Sequence, residues 1–434
     1  MNNKQPDISG GTEYSMKKGS RRSLILLSVL LIVLTFSMSS CYLLAQDPID
    51  YLTKEEVQQM IDNGMYGEIT VEGGDNYNVT INNADRDNVS AAKAILSSVS
   101  IKCVFKTTSY GLSASREKVS AGSGVIYKID KNKGDAYVIT NYHVVYHNQS
   151  NTENGISKDI SLYLYGQESA EYAIPATYIG GSMNYDIAVL KVTGSKVLAE
   201  SNAVPIEIAD SDEVAVLDRA IAVGNPEDLG LSATLGYINV DSEYITMEGA
   251  DGATTIQIRV MRTDTSVNSG NSGGGLFNSN GELIGIVNAK LTQSDNMSYA
   301  IPSNFVKYVA DNIIHYCDGT EYEGVYRCYL GITVSASKKY TEYDKETGVV
   351  HKREQISVDT VDKNGLANGL IEVGDIINSI TVDGVTYDVD RMHIVTDTML
   401  NARVGSKVTV NVTRDGKKID VAINITKDSL SQVE

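Results

Sequence analysis

Ser272 lies in "TSVNSGNSGGGLFN", residues 265–278. By composition alone this stretch reads as a Gly/Ser spacer. The alternative is a backbone loop shaped to hold one hydroxyl. A serine hydroxyl is a weak nucleophile at neutral pH; it needs an adjacent base, and the base needs an orienting acid. The chain has five histidines: His143, His147, His315, His351 and His393. His143 stands at the end of an apolar run in "TNYHVV", and Asp186 stands just before another in "NYDIAVL". A hydroxyl, an imidazole and a carboxylate, each next to an apolar strand, are the parts needed for acyl transfer.

The chain order His143, Asp186, Ser272 is the His…Asp…Ser order of the chymotrypsin-type double barrel. In that arrangement Ser272 attacks the scissile carbonyl, His143 moves the proton and Asp186 holds the imidazole. The developing oxyanion needs backbone N–H donors, and the turn at Gly270, Asn271 and Ser272 offers them. One such donor is typically worth about 3 kcal/mol of barrier lowering. Glycine admits the backbone conformations that such a turn requires. Just before the nucleophile, Val267 is expected on the pocket side, with no acidic residue beside it. That argues for a small or medium apolar side chain in the substrate and against Lys or Arg. "HVVYH" places His143 and His147 four apart, as in a helical zinc protease, but Val144 occupies the position where the catalytic glutamate is required. No CxxC pair or Cys/His cluster suggests zinc, and no cofactor is expected.

The elements that must position these groups are short β-branched runs between about 93 and 316: "SGVIYKI", "AYVITNYHVV", "ISLYLYG", "DIAVLKV", "RAIAVGN", "TIQIRVMR" and "LIGIVNAK". Gly, Asn and Asp punctuate them. This is the pattern of an all-β domain, and its length suits two small barrels better than one. A second unit, 325–430, contains "SKVTVNVTRDGKKIDVAINI". Val408, Val410 and Val412 alternate, Asp415–Gly416 makes a turn, and Ile419, Val421, Ile423 and Ile425 alternate after it. "DRMHIVTDTMLNAR" before that hairpin is helical by period. The expected fold is therefore mostly β, a double barrel followed by a small α/β module.

Residues 24–45, "LILLSVLLIVLTFSMSSCYLLA", carry no charge and are long enough to cross a bilayer as a helix. In 1–23, Lys4, Lys17, Lys18, Arg21 and Arg22 outnumber Asp7 and Glu13, which places that tail in the cytoplasm. A cleaved signal peptide has the same start but usually a shorter core. Cys41 in "SMSSC" only loosely fits a lipoprotein site. We expect a single-pass anchor with the rest of the chain outside the membrane. Residues 46–92 read as a stalk, with one short helix opened by the Thr53/Glu56 capping-box pair and ended at Gly64. The net charge of −18 argues against nucleic-acid binding. Four cysteines, one of them in the membrane segment, make no disulfide framework. Cys317 and Cys328 are left as either a short loop closure or free thiols.

Five segments taken together resemble the HtrA family: "TDTSVNSGNSGGGLFNSNGELIGIV", "TNYHVV", "ATYIGGSMNYDIAVLKV", "AVGNPEDLGLSATLGYI" and "YAIPSNFVK". These are trypsin-like serine proteases of protein quality control that carry a PDZ domain. The resemblance runs from about 93 to 427. It implies His143, Asp186 and Ser272 as the triad, Lys290 near the pocket wall, unfolded proteins as substrates and a homotrimer. It also implies a carboxylate-binding loop in "CYLGI", with Tyr329, Leu330, Gly331 and Ile332, which would receive a substrate C-terminus by strand addition. "GLIEVGDIINSI" matches the family's segment ahead of a PDZ strand, with Gly374 and Asp375 at its turn. The chain departs from the family at Ser269 and Gly275, where proline is common. Asn271 in place of aspartate leaves no salt bridge to a freshly cut N-terminus, so activation by propeptide removal is not expected. The alternative reading is a chaperone or adaptor with a silent protease fold.

Overall fold

The computed structural model describes residues 83–108, 115–288, 297–320, 322, 324–345 and 347–433. The expected membrane segment, the short helix near 53–64, Cys41 and Lys290 lie outside the described residues. Among the described residues no helix is long and apolar enough to cross a membrane.

Two closed six-stranded barrels form the first part of the described chain. The first contains β1 (Ser98–Thr108), β2 (Ser115–Asp130), β3 (Asp135–Thr140), β4 (Asp159–Tyr163), β5 (Ile174–Ser182) and β6 (Ile187–Val192), in the order β1-β2-β3-β6-β5-β4. The second contains β7 (Arg219–Gly224), β8 (Ser232–Glu248), β9 (Thr255–Thr263), β10 (Gly275–Phe277), β11 (Leu283–Val287) and β12 (Ser298–Pro302), in the order β10-β11-β12-β9-β8-β7. Closure removes the unpaired edges that a sheet of such strands would otherwise expose. Inward β-branched and aliphatic side chains fill each barrel: Val99, Ile101, Ile126, Val138 and Leu190 in the first, Ile238, Met261, Leu276 and Ile284 in the second.

A helix, α1 (Asn83–Leu96), precedes β1. It runs across residue 92, where the sequence reading ended the stalk. Its last turns pack where the barrels meet: Ala94 is buried in the cluster that holds Val125 and Ile139 of the first and Ile221 and Val223 of the second, and Lys93 pairs with Glu207 at 2.6 Å. After the barrels, the long amphipathic helix α2 (Ser303–Cys317) buries Val306, Val309, Ala310 and Ile313.

The C-terminal domain is small and α/β. Strands β13 (Val325–Cys328) and β20 (Leu430–Val433) pair with each other. A six-stranded sheet holds β14 (Ile332–Tyr343), β15 (Val350–Val361), β16 (Ile376–Val382), β18 (Lys407–Arg414) and β19 (Lys417–Asn424) in that order, with β17 (Val385–Asp388) on β16. The β18–β19 register follows the alternation: Val408 faces Ile423, Val410 faces Val421, and Val412 faces Ile419. Asp415 and Gly416 both take positive φ, 50° and 74°, as a tight hairpin turn requires. Ile419 breaks the pattern and is 37% exposed, because the hairpin extends past the core at its tip. The helix α3 (Met392–Asp397) sits where the 3.6 period placed one.

This domain is tied to the second barrel by buried charge. Arg259 of β9 bonds Asp397 of α3 at 2.8 Å and Asp212 at 3.4 Å, and His393 lies 3.2 Å from Asp212. Burial alone would raise the Asp212 carboxyl; the His393 hydrogen bond and the Arg259 charge outweigh it and hold that carboxyl well below its usual range. Cys103, Cys317 and Cys328 are buried free thiols, so the 317–328 loop is not closed by a disulfide. Burial pushes the Cys103 thiol up to about 12 and the Cys328 thiol up to about 11, which leaves both unreactive.

Candidate active site

His143 lies on a one-turn helix, Tyr142–Val145, directly after β3. Val144 and Val145 are buried in the first barrel and fix that turn, so the His143 ring stands at the barrel's rim. Asp186 closes the turn between β5 and β6 with φ at +51°, a left-handed conformation costly for a residue with a Cβ. The following residues, Ile187 to Leu190, are fully buried and anchor the strand. This strain is held by hydrogen bonds on every side. The Asp186 carbonyl accepts from Asn141 Nδ2 at 2.8 Å. Oδ1 accepts the His143 backbone N–H at 3.0 Å, and Oδ2 lies 2.7 Å from His143 Nδ1. A carboxylate can only accept, so Nδ1 carries the proton in this pair and the neutral ring presents Nε2 with its lone pair.

A third donor was not anticipated from the sequence. Asn288, at the end of β11, gives Nδ2 to Asp186 Oδ2 at 2.8 Å. It is fully buried and 102 residues away in the chain. The only local signal is a polar residue closing the apolar run "LIGIV". Asn288 orients the carboxylate that orients the imidazole, so it is a positioning residue. Asn288→Ala is expected to lower kcat about 10–100-fold, the worth of one hydrogen bond to a buried charge. KM should stay within about twofold, since no substrate contact is lost. Steady-state kinetics on a fluorogenic peptide check this; a change confined to KM would contradict it.

Ser272 sits between β9 and β10, where the second barrel meets β2 of the first, and is 7% exposed. Its neighbour Gly273 presses on the first barrel: a Cβ there would meet Ser123 O and Thr140 Oγ1 at 2.2 Å and Asn141 N at 3.0 Å, two residues before His143. Gly273 also has φ at +82°, so no other residue fits. The loop therefore lies against the end of β3, beside the turn that carries His143. The structure joins His143 to Asp186 by hydrogen bond. Ser272 Oγ makes no hydrogen bond among the described residues. Such contacts are commonly long before substrate binds and tighten in the complex.

Three amides were expected in the oxyanion site, and one of them is engaged within the turn. The Asn271 N–H is taken by Asn268 O at 3.0 Å. The Gly270 and Ser272 amides have no protein acceptor among the described residues, and Gly270 has φ at +97°. Val267, expected on the pocket side, is 7% exposed and belongs to the buried cluster of Ala220, Ile238, Met261 and Ala300 in the second barrel.

In the C-terminal domain, Tyr329 is half exposed and donates its hydroxyl to Asp362 Oδ2 at 3.0 Å. Leu330 is buried, Gly331 takes φ at +76°, and Ile332 opens β14, an edge strand of its sheet. The carbonyls of Leu330 and Gly331 accept from Ala367 N and Asp362 N. Their amides have no protein acceptor among the described residues.

Comparison with known proteins identifies the family. A trypsin-like peptidase domain family matches residues 122–286. The serine protease Do-like HtrA of Lactococcus lactis subsp. lactis is 30% identical over 323 residues, covering 71% of this chain and 71% of that protein. The periplasmic serine endoprotease DegP of Escherichia coli is 32% identical over 321 residues, covering 73% of this chain but 59% of that one. Among solved structures, the HtrA-type protease AlgW with a tripeptide aligns at a TM-score of 0.49 and 24% identity, covering 79% of this chain and 97% of that one. With a double barrel, a serine loop between β9 and β10 and an HtrA relative matched over most of both chains, this protein belongs to the HtrA/DegP-like family of trypsin-type serine endopeptidases.

Proposed function

We propose that this chain is a membrane-anchored endopeptidase that cleaves unfolded or misassembled proteins outside the cytoplasmic membrane. The observation that carries the catalytic part is the His143–Asp186 pair, 2.7 Å apart, beside a serine loop with two unengaged amides. In this reading Ser272 Oγ attacks the scissile carbonyl while His143 Nε2 takes its proton. The Gly270 and Ser272 amides receive the oxyanion, and Asp186 stabilises the imidazolium that forms. The imidazolium then gives its proton to the leaving amine, and water repeats the sequence on the acyl-enzyme.

The C-terminal domain is read as a PDZ module. Free amides at Leu330 and Gly331, next to an edge strand, suit a peptide C-terminus: the carboxylate meets the amides and the peptide backbone extends the sheet. The uncharged stretch 24–45 behind a basic tail supports the anchor. The name of the Escherichia coli relative, a periplasmic endoprotease, supports an extracytoplasmic site of action.

The test compares full-length wild type and Ser272→Ala in isolated membranes. Expected are retention in the pellet after carbonate washing, casein hydrolysis by wild type alone, and binding of an apolar peptide that is lost when its C-terminus is amidated. Hydrolysis that survives in the alanine variant would overturn the catalytic reading. Release by carbonate would overturn the anchor.

A further inference from the structure

The loop that presents Ser272 is held by its carbonyls. A trans peptide is planar, so tying down a carbonyl points the following N–H the opposite way. Each carbonyl from 269 to 272 has a donor. Ser269 O accepts Glu227 N–H at 2.8 Å, Gly270 O accepts Ser123 Oγ–H at 2.7 Å, Asn271 O accepts Gly274 N–H at 2.9 Å, and Ser272 O accepts Ser123 N–H at 2.8 Å. The first tie turns the Gly270 amide away from Glu227 and the third turns the Ser272 amide away from Gly274, and neither amide has a protein acceptor among the described residues. The second turns the Asn271 amide away, onto Asn268 O.

Ser123 thus supplies two of the four ties, and it belongs to the other barrel, on β2. It is completely buried, and its Oγ also accepts the Asn225 N–H at 2.8 Å. Asn225 opens the loop that carries Glu227, the donor to Ser269 O. Thr140 Oγ1 donates to the Ser123 carbonyl at 2.7 Å, three residues before His143. One hydroxyl therefore touches both loops that build the anion site. Among the described residues it is also the only side chain in the set of four ties; the other three donors are backbone amides that no substitution can remove selectively.

We propose that Ser123 is a positioning residue for the oxyanion site: its hydroxyl, shared between Gly270 O and Asn225 N–H, holds the 269–272 backbone in the form that aims the Gly270 and Ser272 amides at the substrate. This rests on the catalytic reading above. Without the hydroxyl, the Gly270–Asn271 peptide loses its anchor to the first barrel, and Asn225, at the start of the loop that ties Ser269 O, loses its acceptor. The Glu227 tie that aims the Gly270 amide then joins two segments that have each lost their hold on Ser123 Oγ, and the amide's aim relaxes. Substrate binding is untouched, because Ser123 is buried beneath the loop and faces no substrate.

The experiment uses full-length protein with Ser123→Ala and Ser123→Cys, each checked by thermal unfolding. For folded Ser123→Ala, kcat should fall about 30–300-fold, in the range of losing an oxyanion donor, with KM within twofold. Inhibition by a peptide boronate, whose tetrahedral adduct occupies the oxyanion site, should weaken by the same factor as kcat/KM. Ser123→Cys, with a far weaker donor of similar volume, should fall between. A folded alanine variant within threefold of wild-type kcat would overturn the proposal, as would a loss carried by KM. If the alanine variant does not fold, a cysteine variant with unchanged kcat would overturn it. Wild-type protein that neither hydrolyses peptide nor accepts a fluorophosphonate at Ser272 would instead defeat the catalytic reading itself.

Discussion

Ser272→Ala is expected to lower kcat by about 10⁶-fold and to leave KM nearly unchanged. The size follows from serine proteases in which loss of the nucleophile alone removes the concerted action of the triad. A residual rate of about 10³ over uncatalysed hydrolysis should persist, because the Gly270 and Ser272 amides are backbone and remain in place. The fold should tolerate the change. The loop is held by carbonyl ties that involve no Ser272 side-chain atom, and the Oγ has no hydrogen-bond partner among the described residues to be orphaned. Initial rates on a fluorogenic peptide, covalent labelling by a fluorophosphonate and a thermal melt check the three parts. An alanine variant that still turns over at one-tenth of wild type would move the nucleophile elsewhere.

The same local patterns that place Ser272 explain how much of the molecule is legible in the sequence. Short β-branched runs ended by Gly, Asn or Asp mark barrel strands, because a strand buried on one side needs alternation and a sharp stop. His143 and Asp186 are readable because each sits where such a run begins or ends. The β18–β19 hairpin is readable because Asp415–Gly416 accepts the positive φ that its turn demands. What escapes has no local signature. Asn288 meets Asp186 across 102 residues, and Ser123 meets Gly270 across 147. In "SGVIYKI" Ser123 looks like the ordinary polar start of a strand; its role depends on a contact between barrels. The burial of Val267 and the bond from the Asn271 N–H to Asn268 O are illegible for a related reason. Proximity to a nucleophile in sequence does not say which atoms face the cleft, and here one serves the core and the other closes the turn.

Asp186→Asn is expected to lower kcat about 10⁴-fold, the loss known when the orienting carboxylate of such a triad becomes an amide. The surroundings of Asp186 decide how. Its Oδ1 accepts the backbone N–H of His143, a donor that cannot reverse. An asparagine must therefore keep its oxygen there and turn its NH₂ toward the position of Oδ2. That position faces His143 Nδ1 and Asn288 Nδ2. A turned Asn288 amide would accept from that NH₂ with its own oxygen. The imidazole then has to accept at Nδ1, which moves its proton to Nε2 and leaves no lone pair facing Ser272. The variant should fold like wild type and carry the inverted tautomer. Nitrogen NMR of the His143 ring reads the tautomer directly, and kinetics read the loss. Because the obstacle is the His143 backbone amide, adding Asn288→Ala to Asp186→Asn should restore nothing. A double variant with recovered turnover would show that Asn288, and not the main chain, sets the proton's position.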